Sequence, residues 1–309
     1  MDSSIGAIEQ NIDTTFSRLL KYKWLIIIGT ALSACLSVVI AVNQPNTYTS
    51  QVFMSPVSKS ENGGLSNLAG QFGGLASMAG ISLGGADGSD IEAAIEFMQS
   101  RGFLQNFISD RELMPDLIAL ESWDSEENKP VYNSNLYNSD EKTWTRQPPA
   151  GKSIIPTAWE GYNKLLSQIN IMFLKKKGLI ELKVTTVSPE LSVNIAKWLI
   201  EDLNQFWRAK DKKEAEEAIA YLKNQASKTN VSELRKVFYE LIADQTRTKL
   251  LSSVGDYHLL KPLSPVVYPE EKSGPSRALI CVGITFFGGL LTLILALVLT
   301  LRTRKSENE

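Results

Sequence analysis

The sequence predicts an α+β protein in which two transmembrane helices flank one extracytoplasmic α+β domain with a long helical hairpin projection. Two charge-free apolar runs lie near the ends of the 309-residue chain. Residues 43–277 between them are numerous enough to form one sizeable domain. Within that domain, strand-like alternation and helix-like spacing both occur, and residues 189–255 continue a helical pattern with a thin apolar seam.

The second apolar run, 278–301, has 24 residues without a charge. As a helix it is about 36 Å long, enough to cross a bilayer with some tilt. The first run, 24–42, is also free of charge. Basic residues flank the outer ends of the two runs: Arg18, Lys21, Lys23, Arg302, Arg304 and Lys305. Because Lys and Arg concentrate on the cytoplasmic side of membrane proteins, the arm 1–23 and the tail 302–309 are predicted to be cytoplasmic.

Two alternatives concern the N-terminal region. The first apolar run could be a cleaved signal peptide, but its core and its 23-residue leader are longer than is usual, which favours a span. In the leader, apolar residues recur at spacings of three and four, which is typical of an amphipathic helix on the membrane surface. A simple extension of the first membrane helix explains the same pattern equally well.

Composition excludes several classes of function for the central domain. It contains 26 basic and 29 acidic residues, a net charge of −3, so its bulk charge does not attract nucleic acid or another polyanion. The two cysteines, Cys35 and Cys281, both lie in the apolar runs. We therefore expect neither a disulfide nor a thiolate metal site in the domain.

The first half of the domain mixes strand, helix and loop signals. Residues 48–57 predict a strand, and residues 90–110 predict a helix capped by Ser89 or Asp90. Between them, residues 63–88 contain nine glycines in 26 positions. This glycine-rich stretch is interpreted as a mobile loop, or alternatively as a small-residue helix packed closely on a neighbour. Residues 121–157 are interpreted as loop with short strands.

The second half predicts a short helix at 159–169, a half-buried strand at 178–187 and a long helix after Ser188. Ser188, Pro189 and Glu190 supply an N-cap, a proline at the first helical position and an acidic first turn. Leu191, Ile195, Leu199 and Phe206 share one face of that helix.

Past Trp207 the helix becomes highly charged and keeps only a narrow apolar seam. The seam residues are Ala215, Ile219, Leu222, Ala226, Leu234, Phe238 and Leu241. A break near 227–230, with Asn230 and Glu233 as a capping box, predicts two helices forming a hairpin. So narrow a seam buries little surface, which favours packing against other copies of the chain.

The chain then returns through a predicted edge strand at 256–268 into a proline-rich segment, 262–275. The candidate functional residues of this region are Pro262, Pro265, Pro269, Lys272, Pro275 and Arg277. Repeated proline fixes φ and removes backbone donors, so the segment is predicted to be a stiff connector that transmits the orientation of the domain to the second membrane helix.

Both membrane helices carry a stripe of small residues at intervals of four. The stripe residues are Gly29, Ser33, Ser37 and Ala41 in the first helix, and Gly288, Thr292, Ala296 and Thr300 in the second, with Gly289 beside them. This spacing lets helix backbones approach closely, so the stripes predict specific helix–helix packing.

The residues that common catalytic sites need are scarce. His258 is the sole histidine and lies in a predicted strand beside Leu259 and Leu260, so it is interpreted as a structural or surface residue. Without a second histidine or a cysteine in the domain, common triads and zinc sites cannot be built. We expect no catalytic residues, no cofactor and no metal.

At this point the sequence resembles the chain length determinant family, the Wzz-like polysaccharide co-polymerases of Gram-negative inner membranes. The specific part of the resemblance is PLSPVVYPEEKSGPSRAL at 262–279 together with the topology. Further similar stretches are LASMAGISLGG (75–85), ESWDSEENKPVYNSNLYNSDEKTWTR (121–146), SPELSVNIAKWL (188–199) and ELRKVFYELIADQTRTKLL (233–251).

The resemblance implies a function. Members of the family have no catalytic activity, form bell-shaped ring oligomers in the inner membrane and set the modal length of lipopolysaccharide O-antigen. The polymerase that builds this glycan on an undecaprenyl carrier is the implied partner, with the lipid-linked polysaccharide as a further one. The central domain is then periplasmic. Two alternatives are an export component for capsule or exopolysaccharide, bridging to an outer-membrane partner, and a two-span sensor.

Overall fold

A computed structural model of the protein describes residues 22–57, 88–124, 126–148 and 150–307. The N-terminal arm up to residue 21, nearly all of the glycine-rich stretch and the last two residues lie outside these ranges. The chain forms two compact units. One consists of residues within Met1–Asn46 and Ser273–Glu309, and the other of residues within Thr47–Lys272.

Helices and strands alternate irregularly along the described residues. In chain order they are α1 (Lys23–Asn43), β1 (Tyr48–Pro56), α2 (Gly88–Gln99), α3 (Arg101–Asp110), α4 (Met114–Ile118), β2 (Leu120–Asp124), β3 (Lys129–Tyr132), β4 (Tyr137–Asn138), β5 (Thr143–Trp144), α5 (Ala158–Gln168), β6 (Ile169–Leu174), β7 (Leu179–Thr186), α6 (Pro189–Lys228), α7 (Ser232–Leu251), β8 (Leu260–Pro262) and α8 (Arg277–Glu307). The mixture of helix and strand confirms the predicted α+β class.

The first unit contains the two apolar helices, α1 and α8, which pack against each other. Both are long and apolar enough to cross a membrane, α1 over Lys23–Asn43 and α8 over Arg277–Thr300. Their positions agree with the two apolar runs of the sequence, and they fit a protein that passes through a membrane twice.

The second unit is built on a four-stranded antiparallel sheet with the order β6-β7-β1-β8. Alternate residues of the central strands, including Val52, Met54, Ile180, Leu182 and Val184, are fully buried and belong to the main core. The first half of α6 packs on these strands and buries Leu191, Ile195, Leu199 and Leu203. Helices α2, α3, α4 and α5 contribute further residues to the core, as do β6 and the chain at β8.

Helix α6 begins as the sequence predicts. Ser188 is its N-cap, and the Ser188 hydroxyl accepts a hydrogen bond from the Leu191 amide at 3.2 Å. Pro189 occupies the first turn, where it needs no backbone donor. The helix then runs for 40 residues and pairs with α7 to form the predicted hairpin.

Three boundaries differ from the prediction for local reasons. The helix predicted over 90–110 is two helices, because Ser100 adopts an extended backbone and its hydroxyl caps the second one by accepting from the Phe103 amide. Asn230 does not cap α7, which begins at Ser232 after Val231. The predicted strand at 256–268 shortens to β8, since the prolines at 262 and 265 end the ladder.

One strand was absent from the prediction altogether. Residues 169–174 form β6, an edge strand that pairs with β7 along its whole length. Its buried Ile169 and Ile171 alternate with exposed Asn170 and Met172, which is the period of a half-buried strand. This alternation is short, and it begins directly after the predicted helix, so the sequence alone did not indicate a separate strand.

Candidate functional site in the proline-rich segment

The proline-rich segment starts on the edge of the sheet. Pro262 is the last residue of β8 and lies opposite Met54 in β1. The Leu263 amide donates to the Phe53 carbonyl at 2.8 Å, which extends the pairing by one bond. Beyond it, Val266 packs against the main core, whereas Pro265 is exposed and Pro269 is half-buried. The first part of the segment is therefore attached to the domain rather than detached from it.

Tyr268 shows where the segment runs next. Burial raises the pKa of Tyr268, and the nearby Glu190 carboxylate and Tyr48 raise this pKa further. Glu190 lies in the first turn of α6. Tyr268 therefore lies near the first turn of α6 and the start of β1.

The remaining candidate residues belong to the other unit. Pro275 and Arg277 lie within Ser273–Glu309, whereas Lys272, which is exposed, ends the domain unit. An Nη2 atom of Arg277 donates to the Gln44 carbonyl at 3.4 Å and to Asn46 Oδ1 at 3.2 Å. Gln44 is the C-cap of α1. A guanidinium at this place complements the negative end of the α1 dipole and ties the ends of the two apolar helices together.

Helix α6 holds the chain that leads into β8 through one buried amide. The Asn204 Oδ1 atom accepts hydrogen bonds from three successive backbone amides, those of His258, Leu259 and Leu260, at 2.9, 2.8 and 3.1 Å. The Asn204 Nδ2 atom donates to the Leu260 carbonyl at 2.9 Å and to the Ile200 carbonyl at 2.8 Å. Asn204 is almost fully buried, so water cannot take over its hydrogen bonds to these backbone groups if the side chain is removed.

Two further side chains of α6, those of Arg208 and Asp211, bind the same chain segment. An Arg208 guanidinium nitrogen donates to the Gly255 and Asp256 carbonyls at 2.6 and 3.1 Å. Asp211 Oδ2 lies 2.8 Å from His258 Nε2, and both side chains are largely buried. Asn204, Arg208 and Asp211 are spaced four and three residues apart, so they share one face of α6. We call these three residues with His258 the hairpin clamp.

The small-residue stripes lie where α1 and α8 meet. A Cβ atom at Gly29 would collide with Thr292, and one at Gly288 would collide with Ser33. The hydroxyl oxygens of Ser37 and Thr285 are 3.5 Å apart. Ala41, Ala296 and Thr300 are buried, and a Cβ at Gly289 would contact Thr30 at 3.5 Å. The structure thus brings the stripe residues of the two helices together, although the functional role of the stripes stays a prediction.

Sequence reasoning missed the hairpin clamp. His258 was singled out only as a lone histidine, and Asn204 not at all. A signal existed in the polar residues Asn204, Arg208 and Asp211, whose helical spacing continues a face that is apolar up to Ile200. Their partners beyond α6 are backbone groups and, for Asp211, the His258 ring, all more than 40 residues away, and no pattern in the sequence indicates such pairs. Among the described residues, no group of three or more His, Cys, Asp or Glu is placed to hold a metal ion.

Comparisons with known proteins add one family match. A family model described as "Chain length determinant protein" (Wzz) matches residues 10–111, about a third of the chain. No curated protein sequence matches the chain.

Two solved structures are similar in part. One is described as "full-length bacterial polysaccharide co-polymerase". It is 10% identical with a TM-score of 0.38, over 94% of this chain and 97% of that one. The other is described as "Fragment of WzzB, Polysaccharide Co-polymerase from Salmonella Typhimurium". It is 11% identical with a TM-score of 0.31, over 74% of this chain and 100% of that one. Both TM-scores are low, so neither likeness carries an argument about this chain.

The family match covers α1, β1, α2 and α3, which include the first apolar helix and a central strand of the sheet. Of the stretches that carry the sequence resemblance, the match includes only 75–85, and the proline-rich stretch 262–279 lies outside it. Over residues 10–111 the chain is thus similar to the chain length determinant (Wzz) family.

Proposed function

We propose that this protein is a non-enzymatic regulator that sets the modal chain length of lipopolysaccharide O-antigen. In this proposal it acts in the bacterial inner membrane as a ring-shaped homo-oligomer beside the polymerase that extends the glycan on its undecaprenyl carrier. Both termini are cytoplasmic, and residues 43–277 are periplasmic. The observation that carries the proposal is the match of residues 10–111 to the chain length determinant family.

The architecture supports a regulator that works by position rather than by chemistry. The proline-rich segment is attached to the sheet edge at Pro262 and continues toward an apolar helix that begins at Arg277. Such an arrangement suits a device that transmits the orientation of the domain into the membrane.

Exposed apolar residues support self-association. Leu250, Leu251 and Val254, at and just past the end of α7, are 62%, 54% and 69% exposed in the single chain. A cluster of this kind on the surface of one copy is typical of a site that another protein covers. A second copy of the same chain is the partner proposed here, and cross-linking in native membranes would reveal the oligomer.

The test is a gel of lipopolysaccharide from the host bacterium, from a deletion strain and from that strain with the gene restored. We expect the modal band to disappear on deletion and to return on complementation. An unchanged ladder would contradict the proposal. It would favour the alternative, a co-polymerase for capsule or exopolysaccharide export that bridges to an outer-membrane partner, and cross-linking would then identify that partner.

A further inference from the structure

The hairpin clamp lies at a junction of three parts of the domain. Before Asn204, α6 packs on the sheet; after it, α6 continues into the hairpin with α7. The chain that returns from the hairpin is gripped by the clamp at residues 255–260 and leads directly into β8 and Pro262. The chain that connects the end of the hairpin to the proline-rich segment is therefore bound to α6 at these residues.

The geometry of Asn204 makes this junction specific. Its single amide oxygen accepts hydrogen bonds from three consecutive backbone N–H groups, which converge on it as they do in a backbone nest. Its amide nitrogen adds a bond to the Leu260 carbonyl, so Leu260 is bound through both of its backbone groups. Leu259 and Leu260 are buried, which keeps water from replacing the amide. A side chain that lacks either the acceptor or the donor cannot reproduce this set.

The contact between His258 and Asp211 adds a side-chain interaction to the backbone hydrogen bonds that hold residues 258–260. His258 donates its amide to Asn204 and brings its ring nitrogen to within 2.8 Å of the Asp211 carboxylate. On α6, Arg208 lies between Asn204 and Asp211, and it donates to the carbonyls of Gly255 and Asp256. The side-chain contacts of Arg208, Asp211 and His258 thus hold the returning chain in one register against α6.

We propose that Asn204 and the Asp211–His258 pair are positioning residues for chain-length control, a role that rests on the proposed function. They fix the hairpin relative to β8 and thereby set the position at which the proline-rich segment begins on the sheet edge at Pro262. Loosening the clamp uncouples the two, and the length distribution of the glycan changes although the protein is still present in the membrane.

The experiment uses the full-length chain in its deletion strain and compares Asn204→Ala, Asp211→Ala and Asp211→Asn. Asn204→Ala removes the shared acceptor and the donor, so amide hydrogen exchange at residues 258–260 should become roughly tenfold faster or more in the detergent-purified protein. The modal band should shift or broaden at unchanged protein abundance. Asn224→Ala, an exposed asparagine on the same helix, is the matched control and should leave both readouts as in the wild type.

The Asp211 variants keep the test decisive if Asn204→Ala does not accumulate. Asp211→Asn retains an oxygen that accepts from His258 Nε2 and should preserve the modal band, whereas Asp211→Ala should change it. Faster exchange with an unchanged modal band would show a purely structural role and overturn the inference. If wild-type complementation restores no modal band, the proposed function fails, and the assignment of these residues to length control fails with it.

Discussion

At the scale of single residues, one carboxylate organises the loop region before α5. Arg146 is only 9% exposed, and its guanidinium donates to the carbonyls of Ile154 and Ser153 at 2.7 and 2.9 Å and to Glu160 Oε2 at 2.9 Å. Glu160 also closes the capping box with Thr157 at the start of α5. The ion pair thus fastens a segment with little secondary structure to a core helix.

This arrangement predicts an acid-dependent loss of stability. The hydrogen bond from Arg146, followed by that from the Thr157 backbone, lowers the pKa of Glu160 from 4.5 to about 2. A depressed carboxylate pKa stabilises the fold above the unfolded value, and the contribution is lost as the pH falls from about 4.5 toward about 2. Glu160→Gln should lower the free energy of unfolding by about 2 kcal/mol at pH 7.

Urea unfolding of the full-length protein in detergent, at several pH values, measures this difference. The gap between wild type and Glu160→Gln should close as the pH approaches 2. Glu141→Gln, the same substitution at an exposed position, should be neutral at every pH. A gap that does not depend on pH would contradict the assignment of the effect to the ionised carboxylate.

At the scale of elements, the hairpin has a small core of its own. Leu222 of α6 and Leu241 of α7 are its buried residues, and Ala218, Val237, Phe238 and Ile242 pack around them. The sequence seam included Leu222 and Leu241 and explains why the outer halves of two long, charged helices stay together. So few buried side chains leave the hairpin less stable than the sheet-based core.

We expect truncation of this small core to open the hairpin locally. Leu222→Ala and Leu241→Ala should each weaken the α6–α7 pairing by about 2 kcal/mol, with a non-additive double variant because the two side chains share one cluster. Hydrogen exchange should accelerate in α7 and in α6 beyond Trp207, but not in β1 and β7. Tyr239→Ala, at an exposed position on α7, is the control. Uniform acceleration throughout the domain would contradict a separate hairpin core.

The apolar helices allow an equally sharp comparison between two glycines of α8. An added Cβ would collide with Ser33 at Gly288, whereas at Gly283 it would meet no atom within 4 Å. Gly288→Ala should therefore weaken the pairing of α1 and α8 by about 1–3 kcal/mol, and Gly283→Ala should not. Thermal unfolding in detergent measures the effect. Equal midpoints for the two variants would show that close approach at Gly288 is unimportant.

At the scale of the whole molecule, the chain passes between the two units twice, between Asn46 and Thr47 and again within the proline-rich segment. Pro262, Pro265 and Pro269 belong to the domain unit, and Pro275 belongs to the unit of the apolar helices. Each proline restricts φ and thus reduces the freedom of the connection. Its stiffness, rather than any single contact, is the property that the proposed function requires.

Replacing Pro269 and Pro275 by alanine should alter the modal length of the glycan by releasing that restriction, while the protein remains in the membrane. The measurement is the lipopolysaccharide ladder together with an immunoblot of the membrane fraction. Pro130→Ala, at an exposed position in β3, tests whether loss of any proline has the same effect. A wild-type ladder from well-expressed Pro269→Ala and Pro275→Ala would count against a role for the segment.

The local features of the chain could be predicted because their causes are local. The two apolar helices follow from runs without charge, the start of α6 from the Ser188-Pro189-Glu190 motif, and the hairpin from a seam of period three to four. The break at Ser100 and the strand β6 were missed. In each case a short signal competes with a neighbouring helical pattern, and only the packed core decides between them.

The sequence by itself determined the two apolar helices, the α+β class of the domain between them and the resemblance to chain length determinants. These depend on composition and short-range periodicity, which a chain carries whether or not it is folded. Only the tertiary structure decided that Asn204 binds the backbone at 258–260, that Asp211 meets His258 and that Arg146 is buried on Glu160. These contacts join residues through the packing of the whole domain, or through the path of a loop, and neither is written in any local pattern of residues.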